Sequence, residues 1–553
     1  MITFCTSAVC LVLGYLFYGK FLAKYFGVSP ENKTPVQRLA DGVDYIEIRP
    51  WKAFMIQLLN IAGLGPIFGA ILGAAYGPVA YIWIVLGCIF MGAAHDFFSG
   101  VASMRNNGAG LPDLVGKYLG KNWQKFLVLF SALMLLAVGI AFVSGPAGLL
   151  AAKTAQFTQD VPADAVVSAA GISLPLFGKL SWLSFWTGAI IAYFILAVLL
   201  PINKIIGRIY PFFGAALIFM ALGVAGAMIW NALTGTITMP ELTLSTLQNF
   251  HPAPDVNHLF PMLFIVISCG AISGFHATQS PMIARCLKSE TSARAVFYGA
   301  MIAEGLIALI WATAAIAYCG GVEQMNASGA APAVIVNNIC TDWLGTAGAI
   351  LAIVGVIACP ITSGDTALRS VRLIVADAFK IRQKPMLNRV LVSLPVFVVA
   401  LLLSHLSFDV IWRYVGVANQ TLAAITLWAG AVWLARERKL HWILSVPAAF
   451  LSAVCISYFL TAPNLVGGLA LPYTFSWIFG VAFAAVALAV FALRAGKNVA
   501  HEIDSAETAA IPVPVPETVK INSVSSSKAD IDALAPADGN VPVKARNATS
   551  PLT

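Results

Sequence analysis

Four ionisable side chains, His95, Asp96, His276 and Asp365, fall among long apolar runs that hold few other charges. A charge inside hydrocarbon is costly, so such residues default to a functional reading. Histidine titrates near neutral pH and can pass a proton. Imidazole and carboxylate together also suit a divalent metal. All four are expected in the inner halves of their helices, forming one polar cluster that acts as a proton relay, a cation site or a metal site. The alternative is that they are interfacial, wet or paired for packing. Glu304 stands near the middle of another apolar run with no basic residue close in sequence. Neutral when buried, it would carry a proton; otherwise it bonds to a neighbouring helix.

A second group of residues could hold substrate. Asn60-Ile61-Ala62-Gly63-Leu64-Gly65-Pro66 and Ser268-Cys269-Gly270-Ala271-Ile272-Ser273-Gly274 put glycine, proline and small polar residues at mid-membrane depth, and Cys359-Pro360-Ile361-Thr362-Ser363-Gly364-Asp365 ends a third run. An interrupted helix offers free backbone groups: its N-terminal ends favour anions and its unwound carbonyls favour cations. Asn60, Gly63, Gly65, Ser268, Gly270, Ser273, Gly274 and Gln279 are therefore candidate substrate contacts. Small residues at such places also serve ordinary helix packing. Arg413 would attract a carboxylate from outside, or simply snorkel to the interface. Asn419 and Gln420 lie deeper in the same run, at a gate position. Asp41 and Asp44 either pair with loop cations at an inner gate or cap a short helix.

The elements that must position these groups are membrane helices. The chain has 553 residues, 59% hydrophobic and 10% charged, with mean hydropathy +0.84. A soluble protein is about a quarter charged. Thirteen apolar spans are expected at residues 2–26, 51–75, 78–102, 124–150, 182–200, 210–230, 259–280, 293–318, 344–363, 387–403, 407–435, 440–460 and 472–493. About 20 residues suffice to cross a hydrocarbon core of about 30 Å. With the N-terminus outside, all of the 33 basic residues except Lys153, Lys179 and Arg413 fall on the inner side. That pattern follows the positive-inside rule and predicts N-out, C-in. It also accounts for the net charge of +8 without nucleic acid. The first run lacks a basic leader and reads as a retained helix rather than a signal peptide. The nine cysteines contain no C-x-x-C pair. Cys319 and Cys340 flank one outer loop at a spacing that permits pairing.

The second span runs outward, the seventh runs inward, and five spans separate their starts. The expected organisation is thus an all-α polytopic protein with a 5+5 inverted repeat. An extra helix (1–26) and a cytoplasmic loop (27–50) precede units 51–232 and 259–436. Two peripheral helices (440–494) and a disordered tail (498–553) follow. Inverted repeats with broken helices are the pattern of alternating-access transporters. A channel is the competing class, but no repeated filter motif occurs. No G-x-x-x-x-G-K-[ST] phosphate loop is present, which argues against an ATP-driven pump. No catalytic constellation stands out beyond the His/Asp group, so an enzyme is not expected.

Six strings resemble the carbon starvation protein A (CstA) family of bacterial transporters. In order they are Asp41-Gly42-Val43-Asp44-Tyr45, Ala62-Gly63-Leu64-Gly65-Pro66, Gly92-Ala93-Ala94-His95-Asp96-Phe97, the stretch from Cys269 to Ser280 that includes Gly274-Phe275-His276-Ala277, Asp365-Thr366-Ala367-Leu368-Arg369, and Trp412-Arg413-Tyr414 followed by Asn419-Gln420-Thr421. The chain is shorter than the family's longer members, whose extra helices are expected to be missing. The resemblance implies uptake of small peptides, or of pyruvate, across an inner membrane when carbon is scarce. It also implies a leucine-transporter-type fold. In that fold the ninth span would face the first broken helix. Thr362 and Ser363, with carbonyls near Ala62 and Gly63, would then make a sodium site; hydroxyls bonding back to their own helix are the alternative. The expected partners are a small-molecule substrate, lipid and a coupling cation, H⁺ or Na⁺. No other cofactor is expected unless a metal occupies the His95, Asp96, His276 and Asp365 cluster.

Overall fold

The computed structural model describes residues 1–42, 44–159, 171–174, 178–199, 202–353, 355, 357, 359–383, 385–403, 408–464 and 467–496. The expected tail lies outside them. The principal helices are α1 (Ile2–Tyr25), α2 (Pro50–Ala62), α3 (Gly65–Ala74), α4 (Ala80–Arg105), α5 (Lys121–Gln159), α6 (Trp182–Leu199), α7 (Ile202–Leu233) and α8 (residues 259–266). They continue with α9 (Gly274–Ala284), α10 (Glu290–Tyr318), α11 (Pro332–Ile353), α12 (Cys359–Ala378), α13 (Met386–Leu403), α14 (Phe408–Arg436), α15 (Trp442–Thr461) and α16 (Tyr473–Gly496). A short hairpin, Gly171–Leu174 with Gly178–Ser181, joins α5 to α6 where only a loop is expected.

Burial separates the centre from the rim. In α4 and α10, 89% of the central window is buried, against 22% in α1 and 17% in α16. A helix apolar on every face belongs inside a bundle or in lipid. The segment 300–317 of α10 is alanine-rich, so neighbouring backbones can come close. At one end of the bundle, Glu290 in the first turn of α10 accepts from Arg105 Nε at 2.7 Å and from the backbone N–H of Ser29 at 3.2 Å. This ties the ends of α1, α4 and α10 together.

Both helix breaks are present, and they touch. The chain bends by 54° between α2 and α3. Pro66 lacks the N–H that a continuous helix would use there. Between α8 and α9 the backbone unwinds, and Gly270 takes φ +90°, a conformation side chains rarely adopt. A Cβ on Gly65 would lie 2.0 Å from Cys269 Cβ. The absence of a side chain at Gly65 is what lets the two breaks meet.

Nine of the thirteen expected spans qualify as crossings on length and composition, counting the bent α2–α3 pair as one. Two more coincide with shorter apolar helices, Trp182–Ala197 and Met386–Leu402. The seventh is interrupted, and the ninth is divided between α11 and α12, with residues 354, 356 and 358 outside the described ones. The ninth also differs in its bounds. The expected span ends at residue 363, yet α12 continues to Ala378 with Asp365, Arg369 and Arg372 buried. These charges find partners within the bundle: Tyr193 OH donates to Asp365 Oδ2 at 3.0 Å, Arg369 donates to the Ala197 carbonyl, and Arg372 Nη1 donates to Gln383 at 3.1 Å. The charges therefore do not mark a helix end. Cys319 and Cys340 are free thiols, so the pairing their spacing permits is not made.

The close approach of the two breaks predicts a specific compensation. Gly65→Ala should destabilise the detergent-solubilised protein by at least about 1–3 kcal/mol, the usual cost of overpacking. Adding Cys269→Gly should recover most of the loss, measured as the thermal unfolding midpoint. No recovery in the double variant would mean that the breaks do not meet there.

Candidate functional site

The break between α8 and α9 is held from both sides by two adjacent residues of α14. Gln420 Nε2 donates to the Phe264 carbonyl at the end of α8. Asn419 Oδ1 accepts the Phe275 N–H at the start of α9, at 3.2 Å. A helix end leaves such groups without intrahelical partners, and lipid offers none. Trp83 Nε1 adds a bond to the Ile267 carbonyl at 2.9 Å. Glu304 Oε1 accepts the Gly270 N–H at 3.1 Å. Four side chains from three other helices thus stand in for the missing turns.

Glu304 also begins a chain of buried ionisable groups. Its Oε2 lies 3.4 Å from His276 Nε2. His276 Nδ1 is 2.9 Å from Asp96 Oδ2, and His95 Nδ1 is 2.8 Å from Asp96 Oδ1. All four side chains are fully buried. Asp96 as a carboxylate can only accept, so both imidazoles donate to it through Nδ1. A neutral His276 then presents a bare Nε2 to Glu304. Two acceptors facing each other need a cation between them, whether a proton or a metal. The arrangement can therefore store and move positive charge beside the helix break.

A small cavity of about 10 Å³, room for about one water, adjoins both breaks. It is lined by Ile61, Gly65, Val138, Phe142, Ser268, Cys269, Phe275, Trp412, Val415, Gly416 and Asn419. No charged side chain lines it. Cys269 joins the void to the ionisable chain: its thiol, His276 and Glu304 each bring a ligand atom within 4.8 Å of the others. Nearby α2 carries two fully buried amides, Gln57 and Asn60, whose side-chain atoms make no hydrogen bond among the described residues. Ser273 Oγ and Gln279 Oε1 are likewise without one. Buried polar groups in this state usually await water, an ion or a ligand.

The expected residues thus divide into groups. His95, Asp96 and His276 come together with Glu304, which sequence reading kept apart from them. Asp365 instead meets Tyr193, so the four-residue metal cluster is not assembled as expected. Gly65, Ser268 and Asn419 line the void, while Gly63, Gly270 and Gly274 shape the breaks against Phe142, Ala308 and α14. Gln420 acts as a clamp. Arg413 is exposed and does not line the void. Ser363 does reach α2, but its hydroxyl donates to the Leu59 carbonyl at 2.7 Å, one turn before the expected Ala62. Thr362 is buried beside it. Asp41 accepts the N–H groups of Asp44 and Tyr45, each at 2.9 Å, and so caps a turn. The contact joining the ends of α9 and α12 is made by Arg285 and Asp377, 3.9 Å apart. Sequence reading missed Cys269 and Gln57; each could have been found by asking which polar residues share a turn with a break.

The family model for the carbon starvation protein CstA matches residues 1–173, 172–342 and 316–458. A Haemophilus influenzae protein described as an uncharacterized membrane protein is 44% identical over 347 residues, covering 58% of this chain and 91% of that one. A Campylobacter jejuni peptide transporter CstA is 30% identical over 347 residues, covering 55% and 48%. The Escherichia coli pyruvate/proton symporter BtsT is 28% identical over 350 residues, covering 56% and 48%. The chain therefore spans about half the length of these two transporters.

The clamp can be tested with near-isosteric changes. Asn419→Asp keeps the acceptor for Phe275 and should leave the unfolding midpoint nearly unchanged. Gln420→Glu loses the donor for Phe264 and should cost about 1–3 kcal/mol, as for an orphaned buried group. Equal effects of the two changes would show that backbone capping is not their role.

Proposed function

The chain belongs to the carbon starvation protein CstA family, and we propose that it is a secondary active transporter importing a small carboxylate nutrient by alternating access. The observation that carries this reading is the contact between two broken helices beside an uncharged void, with buried ionisable groups bonded to one of the breaks. Substrate binds in the void. Its carboxylate is drawn to the start of α9, where the helix dipole is positive. Residues 51–232 and 259–436 act as the two repeats, with the N-terminus outside and the C-terminus in the cytoplasm of an inner-membrane protein.

The coupling ion in this reading is a proton on the Glu304–His276–Asp96–His95 chain. Ionised Glu304 accepts the Gly270 N–H more strongly than neutral Glu304 does. Protonation therefore biases the geometry of the break, and the break borders the substrate. Ion and substrate act on one bistable element, as coupling requires. Sodium is the second reading for the ion: the Ser363 hydroxyl gives its hydrogen to the Leu59 carbonyl and keeps its oxygen lone pairs for a cation.

The void favours a substrate of pyruvate size. In this conformation it has room for about one water, about 10 Å³, so the smaller of the two substrate classes needs the least opening of the site. Small peptides are the second reading. The C-terminal end of α2 borders the same void through Ile61, and a helix C-terminus favours an ammonium group.

Uptake into proteoliposomes tests both points. Labelled pyruvate and labelled dipeptide are offered separately with an inward proton gradient, an inward sodium gradient or neither. Proton-driven pyruvate accumulation is expected. Glu304→Gln should cut accumulation at least about tenfold while sparing substrate exchange at equal pH. Accumulation driven only by sodium would sink the proton assignment. Uptake of neither compound by a monodisperse preparation would sink the transport reading.

A further inference from the structure

We propose that Cys269, His276 and Glu304 bind one divalent transition-metal ion of borderline softness, such as Zn²⁺, with Asp96 and His95 as supporting hydrogen-bond partners. The proposal does not rest on the transport reading, because binding needs neither substrate nor gradient; the ion takes the place between His276 and Glu304 that the coupling proton holds in that reading.

The spacing is the first argument. His276 Nε2 and Glu304 Oε2 are 3.4 Å apart. That is long for a hydrogen bond between nitrogen and oxygen. It matches the edge between two ligands on a tetrahedral ion, roughly 3.4 Å when each arm is about 2.0–2.1 Å. Both atoms belong to fully buried residues and make no hydrogen bond among the described residues. The Cys269 thiol completes a set within 4.8 Å, so only a small closure is needed.

The second argument is orientation. A metal-binding histidine normally donates its other ring N–H to a carboxylate, which fixes the tautomer and leaves the ligating nitrogen bare. His276 meets this condition: Nδ1 faces Asp96 at 2.9 Å, and Asp96 is itself held by His95 at 2.8 Å. Glu304 is held by its other oxygen, on the Gly270 N–H at 3.1 Å. A proton satisfies two of the facing groups, whereas a metal ion satisfies all three.

The donor set decides the class of ion. Sodium, magnesium and calcium prefer all-oxygen sites. Sulfur, imidazole and carboxylate together suit zinc or its neighbours, and the thiol gives up its proton on binding. Three protein ligands leave a fourth position open. Cys269 also lines the void, which sets the site beside the substrate space. An ion here would pin the break between α8 and α9 to α10.

The test uses the full chain in detergent after chelator treatment. Titration with Co²⁺ should produce a thiolate-to-cobalt charge-transfer band that saturates at one equivalent and is displaced by Zn²⁺. Cys269→Ala should abolish the band, and Asp96→Asn should weaken binding about 10–100-fold. Cys88→Ala, which removes another buried thiol, should leave it intact. No band from a monodisperse protein, or a band that persists in Cys269→Ala, overturns the proposal. If the variants fail to fold, the wild-type chain still decides. Zn²⁺ should then shield Cys269, but not exposed Cys5, from maleimide labelling read by mass spectrometry. Equal labelling of Cys269 with and without Zn²⁺ overturns the proposal.

Discussion

A backbone surrounded by hydrocarbon must find every hydrogen bond within the protein, and this chain departs from regular helix at two breaks that meet deep in its bundle. Each unwound peptide group costs several kcal/mol if left alone in lipid. Much of the centre can be understood as the answer to that cost. Asn419 and Gln420 take the N–H and the carbonyl on either side of one break, Trp83 takes a carbonyl within it, and Glu304 takes the Gly270 N–H. Helices α4, α10 and α14 are thereby committed to their positions around α8 and α9. The break is a built feature with its own supporting shell.

Supporting the break with an ionisable residue has consequences for charge. Glu304 cannot hold the backbone without also confronting His276, and His276 is locked by Asp96 and His95. In a low-dielectric interior such a chain is sensitive to a single added or removed cation. Conformation and charge state are thus linked through one N–H group. Cys269 extends the link to the void, since it both lines that space and stands beside the charged chain. The contact of Cys269 with Gly65 carries it across to the other broken helix.

The uncharged lining of the void fits the same economy. Charges placed there would have to be desolvated whenever the space emptied. Helix ends offer a milder attraction, because their partial charges come with the backbone and are already oriented. The unsatisfied amides of Gln57 and Asn60 show that polar capacity remains on α2 for water, ion or ligand.

The sequence by itself determined that the chain is built of membrane helices, where two of them break, and that His95, Asp96, His276, Glu304 and Asp365 are buried. These properties are local: apolar run length, glycine and proline at mid-span, and the cost of a charge in lipid all act residue by residue. The six strings carried the family in the same way, as short matches in order. Which groups meet was decided only by tertiary structure. Glu304, not Asp365, joins His276, because pairing depends on which helix faces which. Beyond residue 363, where the ninth span was expected to end, α12 continues with Asp365 and Arg369 partnered on another helix, which a local reading cannot see. Asn419 and Gln420 look like ligand groups in sequence and serve as caps in the fold, since the backbone they satisfy lies more than a hundred residues away.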